Sequence, residues 1–302
     1  MKIKTDVIRK IFTFLKNSNS LKKIDPYIFE NIDNCREPGN SNFMEYYLEH
    51  IQTLPKLDFD TVIKISREVY QLYGKEKEFD EALKKLVDNN FIATGSLNEI
   101  DANCVAKVSE SKILLSGTYY DVVMLCHEIG HKLRYDNKKN SSNMIDSFFF
   151  ETPSIILELT ANNYLIEKYG VDVDMFNLRK LHISNIKRND NVENAIFQIV
   201  IKLLKDKKLN AINLYKEFAK NVDIIEHLNK TGISIEDCVD NRISSYSYDI
   251  GYILGSYAIS SANKEEMLDM FLKYKSGMLE TPFTIDKELI SGTLGSLKYI
   301  KQ

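Results

Sequence analysis

Tryptophan is missing from this 302-residue chain, and the residues that punctuate or cross-link folds are few: 12 Gly, 5 Pro and 4 Cys. So little glycine and proline argues against a many-turned all-β sandwich or barrel. The cysteines, Cys35, Cys104, Cys126 and Cys238, are widely spaced and form no CxxC pair. That spacing speaks against a disulfide framework and leaves a cysteine zinc knuckle unsupported. There is no basic excess, since the net charge is −3, so neither a nucleic-acid partner nor an anionic membrane surface is expected. No run of about 18 apolar residues occurs, which argues against a membrane span. Near the amino terminus the apolar run Ile11 to Leu15 is too short for a secretory signal. Ile3, Val7, Ile8, Ile11 and Leu15 recur there at helical spacing, an amphipathic helix. A cytoplasmic address is the expectation.

What is present is ordinary globular material, 44% apolar and 27% charged, in a chain long enough to bury a full core. The first ninety residues read as successive amphipathic helices, clearest over Phe59 to Tyr73 and Glu78 to Val87. Two short β-type runs follow, Cys104 to Val108 and Lys112 to Ser116, separated by Ser109-Glu110-Ser111. They predict a β-hairpin. From Thr118 the chain returns to helices almost to its end, with no internal repeat. The expected architecture is mainly α with a small β-sheet, divided into residues 1–90 and 91–302.

One segment carries chemistry: Thr118-Tyr-Tyr-Asp121-Val-Val-Met-Leu-Cys-His127-Glu128-Ile-Gly-His131. Thr118 and Asp121 have the spacing of a capping box, so a helix starts here. At about 100° per residue, His127, Glu128 and His131 share one sector of the helix, while Val122, Leu125, Cys126, Ile129 and Leu133 lie opposite. Such a helix is expected to be buried, with its HExxH edge facing a cleft. Two imidazoles one turn apart can reach one zinc ion that keeps a water as its last ligand. The adjacent glutamate can then accept a proton from that water. The plain alternative is a pair of hydrogen-bonded core histidines.

A third ligand is sought in Phe148-Phe-Phe-Glu151-Thr-Pro153-Ser-Ile-Ile-Leu-Glu158, which opens a second helix with its proline in the first turn. Glu151 and Glu158 are seven residues apart and share a face. Two carboxylates in so apolar a helix start need a compensating charge, which a divalent cation supplies. Otherwise they are solvated acids favoured by the helix dipole. Glu158 has a further reading, as partner to a ligating histidine. His50, His182 and His227 have no partner at ligand spacing and read as structural or surface residues.

These two segments together resemble the thimet oligopeptidase and oligoendopeptidase F family, zinc peptidases with an HExGH helix after a substrate-binding strand. The resemblance spans about residues 100 to 265 and implies a zincin-like catalytic part over 91–302. It implies one Zn²⁺ per chain on His127, His131 and Glu151, with Glu128 as general base and Glu158 behind a ligand. It also implies a strand near Ile113 to Ser116, including Leu114, Ser116 and Gly117, that pairs with a peptide backbone. In Ser244-Ser-Tyr246-Ser-Tyr248-Asp-Ile-Gly-Tyr252, a tyrosine-rich helix is similar to one whose phenols stabilise the tetrahedral intermediate. Tyr252 is the best match, with Tyr246 and Tyr248 as helpers; ordinary packing is the alternative. The sequence departs from the family where Asn241-Arg-Ile-Ser-Ser replaces an upstream histidine and Lys132-Leu-Arg134 replaces another. The expected function is zinc-dependent hydrolysis of oligopeptides. The departures motivate a second possibility, a catalytically impaired, zinc-containing peptide-binding protein on the same scaffold. Oligomeric state is left open.

Overall fold

The computed structural model describes residues 5–19, 21–35, 53–88, 92–94, 113–115, 117–137, 149–171 and 192–273. Within them the protein is mostly helical. Helix α1 (Thr5–Asn17) buries Val7, Ile11 and Phe14, a stripe at intervals of four and three. Helix α2 (Tyr27–Cys35) buries Ile28, Phe29 and Ile32. Helix α3 (Phe59–Gln71) starts where the Asp58 carboxylate accepts the Thr61 N–H at 2.7 Å, and α4 (Glu76–Asp88) packs beside it.

The β structure is one short pairing. Strand β1 (Ile92–Thr94) lies parallel to β2 (Ile113–Leu115), with Ala93 opposite Leu114. This falls short of the expected small sheet. The run Cys104 to Val108 lies outside the described residues, and the described partner of β2 is a strand farther back in the chain.

Helices α5 (Tyr120–Asn137) and α6 (Thr152–Tyr169) follow. After them come α7 (Val192–Lys205), α8 (Ala211–Phe218), α9 (Val222–Lys230), α10 (Ile235–Ser244), α11 (Ser247–Ser260) and α12 (Lys264–Lys273). Capping side chains hold three of these starts: Asn210 for α8, Asn221 for α9, and a full Ser234–Asp237 capping box for α10.

At the centre, α6 is sandwiched between α5 and α11. It is buried almost all round over its first eleven residues, as a helix with so little polar surface must be. Small residues let the three axes approach. A Cβ added to Gly130 of α5 would lie 2.8 Å from the Ser154 Cα of α6. Gly251 of α11 sits against Ile155 and the backbone of Glu151. Helix α3 closes the back of α5: the Tyr70 hydroxyl donates to the Cys126 carbonyl at 2.8 Å, and Tyr73 shares a hydrogen bond with Thr160 of α6. No helix among the described residues is long and apolar enough to cross a membrane.

Candidate metal centre

The start of α5 is held by a carboxylate. Asp121 Oδ2 accepts the N–H groups of Gly117 (2.6 Å) and Thr118 (3.2 Å), while Thr118 Oγ1 accepts the Tyr120 N–H. The capping pair expected from the sequence therefore forms on the Asp121 side. Gly117 adopts φ +74°, a conformation that favours glycine. Its carbonyl accepts the Leu57 N–H at 2.9 Å. Both backbone groups of Gly117 are thus engaged within the chain. Ser116 lies outside the described residues, and Leu114 is the central residue of β2.

Two turns into α5, His127 and His131 are buried side by side with their Nε2 atoms 3.0 Å apart. Glu151, at the N-cap of α6, does not cap its own helix. Its Oε2 lies instead 3.3 Å from His127 Nε2 and 3.1 Å from His131 Nε2. Three ligand atoms thus form a triangle with edges of 3.0, 3.3 and 3.1 Å. A tetrahedral ion with bonds of about 2.0–2.1 Å requires edges of about 3.3–3.4 Å, so the donor set fits one zinc ion with almost no rearrangement. Helix periodicity placed the histidines; the Gly130 contact brings the carboxylate to them.

The histidines are oriented from behind. Glu158, wholly buried one face-repeat along α6, takes the His127 Nδ1 proton at 2.7 Å on Oε2 and the Tyr252 hydroxyl at 2.8 Å on Oε1. With Nδ1 donating, the Nε2 lone pair of His127 is left to face Glu151 and His131, the tautomer a metal ligand needs. His131 stacks on Phe150, with ring centroids 4.6 Å apart, and its Nδ1 has no hydrogen-bond partner among the described residues. Burial alone would raise the Glu151 carboxyl. In their protonated, metal-free form, His131 and His127 supply charges and hydrogen bonds that outweigh this and hold it well below the ordinary carboxylate range. Cys126, on the opposite side of α5, is no ligand: burial pushes its thiol up to about 12, and Sγ lies against the Ser66 carbonyl.

Glu128 is half-buried beside His127 and has no hydrogen-bond or ion-pair partner among the described residues. The tyrosines divide differently from the expectation. Tyr252 donates to Glu158, so its one proton serves the carboxylate behind the ligand and is not held ready for an oxyanion. Tyr246 is a core residue: fully buried, packed on Phe29 and Phe197, and donating to Asp33 at 2.7 Å. Its expected part in substrate binding is therefore corrected. Tyr248, half-buried, lies with its ring parallel to that of His127 and 6.4 Å away. Phe150, Gly130 and the buried Arg134, which donates to the Phe149 carbonyl at 2.8 Å, complete the surroundings. None of these three carries a spacing signal in the sequence.

No protein-family model, no curated protein and no solved structure matches the chain.

Proposed function

We propose that this protein is a zinc-dependent peptidase that hydrolyses peptide bonds in oligopeptides. The observation that carries the reading is the convergence of His127, His131 and Glu151 through atoms no more than 3.3 Å apart, next to an unengaged glutamate. The chemistry a zinc ion supplies when bound is polarisation of the scissile carbonyl and a lowering of its water's pKa toward about 7. Glu128 takes the proton of the attacking water and returns it to the departing amine. Glu158 keeps His127 in its ligating tautomer, and Tyr252 keeps Glu158 in place. Tyr248, whose ring lies over His127, donates to the developing oxyanion. An extended peptide lies along β2 by strand addition. The zincin-like arrangement of the part from residue 91 belongs to this proposal, as does the resemblance to the thimet oligopeptidase and oligoendopeptidase F family.

The test is cleavage of a quenched fluorescent peptide library with and without chelator, beside metal analysis of the purified chain. Wild-type protein is expected to hold zinc and to cleave in a chelator-sensitive way. Glu128→Gln is expected to hold the same zinc and to lose cleavage. Wild-type turnover by Glu128→Gln overturns the assigned base, and absence of metal overturns the centre itself. One observation favours a second reading, a zinc-containing peptide-binding protein without turnover: the Tyr252 proton is engaged by Glu158. Peptide binding without chelator-sensitive cleavage selects that reading.

A further inference from the structure

Spacing along the chain leaves His227 without a metal-binding companion, but the fold brings two. Glu193 in the first turn of α7, His227 in the last turn of α9 and Cys238 in the first half of α10 converge. One ligand atom from each lies within 4.8 Å of the other two. None of these helices carries a residue of the His127 centre. We propose that Glu193, His227 and Cys238 form a second metal site, taking a borderline divalent transition ion of the zinc class and tying α7, α9 and α10 together.

Three points no more than 4.8 Å apart all lie within about 2.8 Å of a common centre, against metal–ligand bonds of about 2.0–2.3 Å. Closing that gap takes at most about 0.5–0.8 Å per ligand, within the reach of small side-chain rotations. The donors are the set zinc favours, one imidazole, one thiolate and one carboxylate, whereas magnesium and calcium select against sulfur. A second observation points the same way. His227 Nε2 is buried and has no hydrogen-bond partner among the described residues, although buried polar atoms are nearly always paired. Cys238 is fully buried and free of any disulfide. The neighbouring cation, Lys10, does not fill the gap, because its ammonium donates to the carbonyls of Leu228, Thr231 and Ile233. On binding, the Cys238 Sγ–H bond breaks, its proton passes to solvent, and the sulfur lone pair forms the metal bond with no change of oxidation state.

Cobalt(II) tests this on the full-length, metal-free protein. A cobalt–thiolate site gives a near-ultraviolet charge-transfer band, which the His127 centre cannot produce because it has no sulfur ligand. The expected result is such a band on titration, quenched by added zinc, retained in a His127→Ala/His131→Ala protein and lost in Cys238→Ala. Glu193→Gln and His227→Gln keep the thiol and are expected to weaken cobalt binding, which covers the case in which Cys238→Ala does not fold. No band in the wild-type chain overturns the proposal. So does a band that survives Cys238→Ala, or one indifferent to both Glu193→Gln and His227→Gln. These outcomes are independent of whether the His127 centre binds metal or cleaves peptides.

Discussion

Replacing Tyr252 by phenylalanine separates two roles that the sequence could not. The phenol donates to Glu158 Oε1 at 2.8 Å, and Glu158 Oε2 accepts from His127 Nδ1 at 2.7 Å. A hydrogen bond to a charged group contributes about 1.5–3 kcal/mol, and Glu158 is wholly buried, so water does not readily replace the lost donor. Loss of a group standing behind a ligand lowers metal affinity about 10- to 100-fold, or about 1.4–2.8 kcal/mol. Tyr252→Phe is therefore expected to weaken zinc binding by at least about tenfold, measured by competition with a chromophoric chelator. In a Glu158→Gln background the same change should cost much less, because the two residues act through one chain of hydrogen bonds. An oxyanion donor behaves otherwise: its removal lowers turnover about 10²- to 10³-fold and leaves zinc affinity alone. Wild-type zinc affinity in Tyr252→Phe, with effects that add to those of Glu158→Gln, refutes the positioning role.

Gly130→Ala places a methyl 2.8 Å from the Ser154 Cα. The helix-propensity gain of about 1 kcal/mol is opposed by about 1–3 kcal/mol of overpacking against backbone that cannot rotate away. A lower Tm and weaker zinc binding are expected; an unchanged Tm refutes the close contact. Glu68 of α3 accepts hydrogen bonds from Lys168, Tyr164 and Tyr169 around α6. Desolvation raises its carboxyl, but those bonds and the Lys168 charge more than offset this, so it titrates below its ordinary value. Its contribution to stability is present above the unfolded-state pKa and fades as pH falls through the lower folded-state value. Glu68→Gln should thus lower Tm near neutrality and narrow the gap from wild type in acid, measured by thermal melts across that range.

Much of the metal centre was legible because it depends on local geometry. A helix fixes residues four apart on one side, so His127 and His131 could be paired from the sequence, and a carboxylate set among phenylalanines at a helix start marked Glu151. The tyrosines were harder. Tyr248 and Tyr252 are four apart and share a face, whereas Tyr246 is six residues from Tyr252 and lies well round the helix, on the side that meets Phe29 and Phe197. Composition marked the segment, and only packing sorted its members. The β1–β2 pairing was not legible for a related reason: hairpin reasoning joins neighbours in sequence, whereas β1 and β2 are parallel strands well separated along the chain. Glu193, His227 and Cys238 come from three helices and share no local period, so no motif announces them.

The proton count at the first centre shows why spacing and burial together argue for a cation. Between His127 and His131 the two Nε2 atoms are 3.0 Å apart, a separation that suits one proton and opposes two. Glu151 Oε2 faces the same gap from 3.3 and 3.1 Å, and Glu158 already holds the Nδ1 proton of His127. With one shared proton in the gap, the two carboxylates of Glu151 and Glu158 face at most one imidazolium, so these four side chains together carry net negative charge. A divalent ion held by His127, His131 and Glu151 would take the place of that proton and balance the charge of the two carboxylates. A cation at this candidate site would account for two buried glutamates in so apolar a segment, Glu151 at the N-cap of α6 and Glu158 within it, opposite the two histidines of α5.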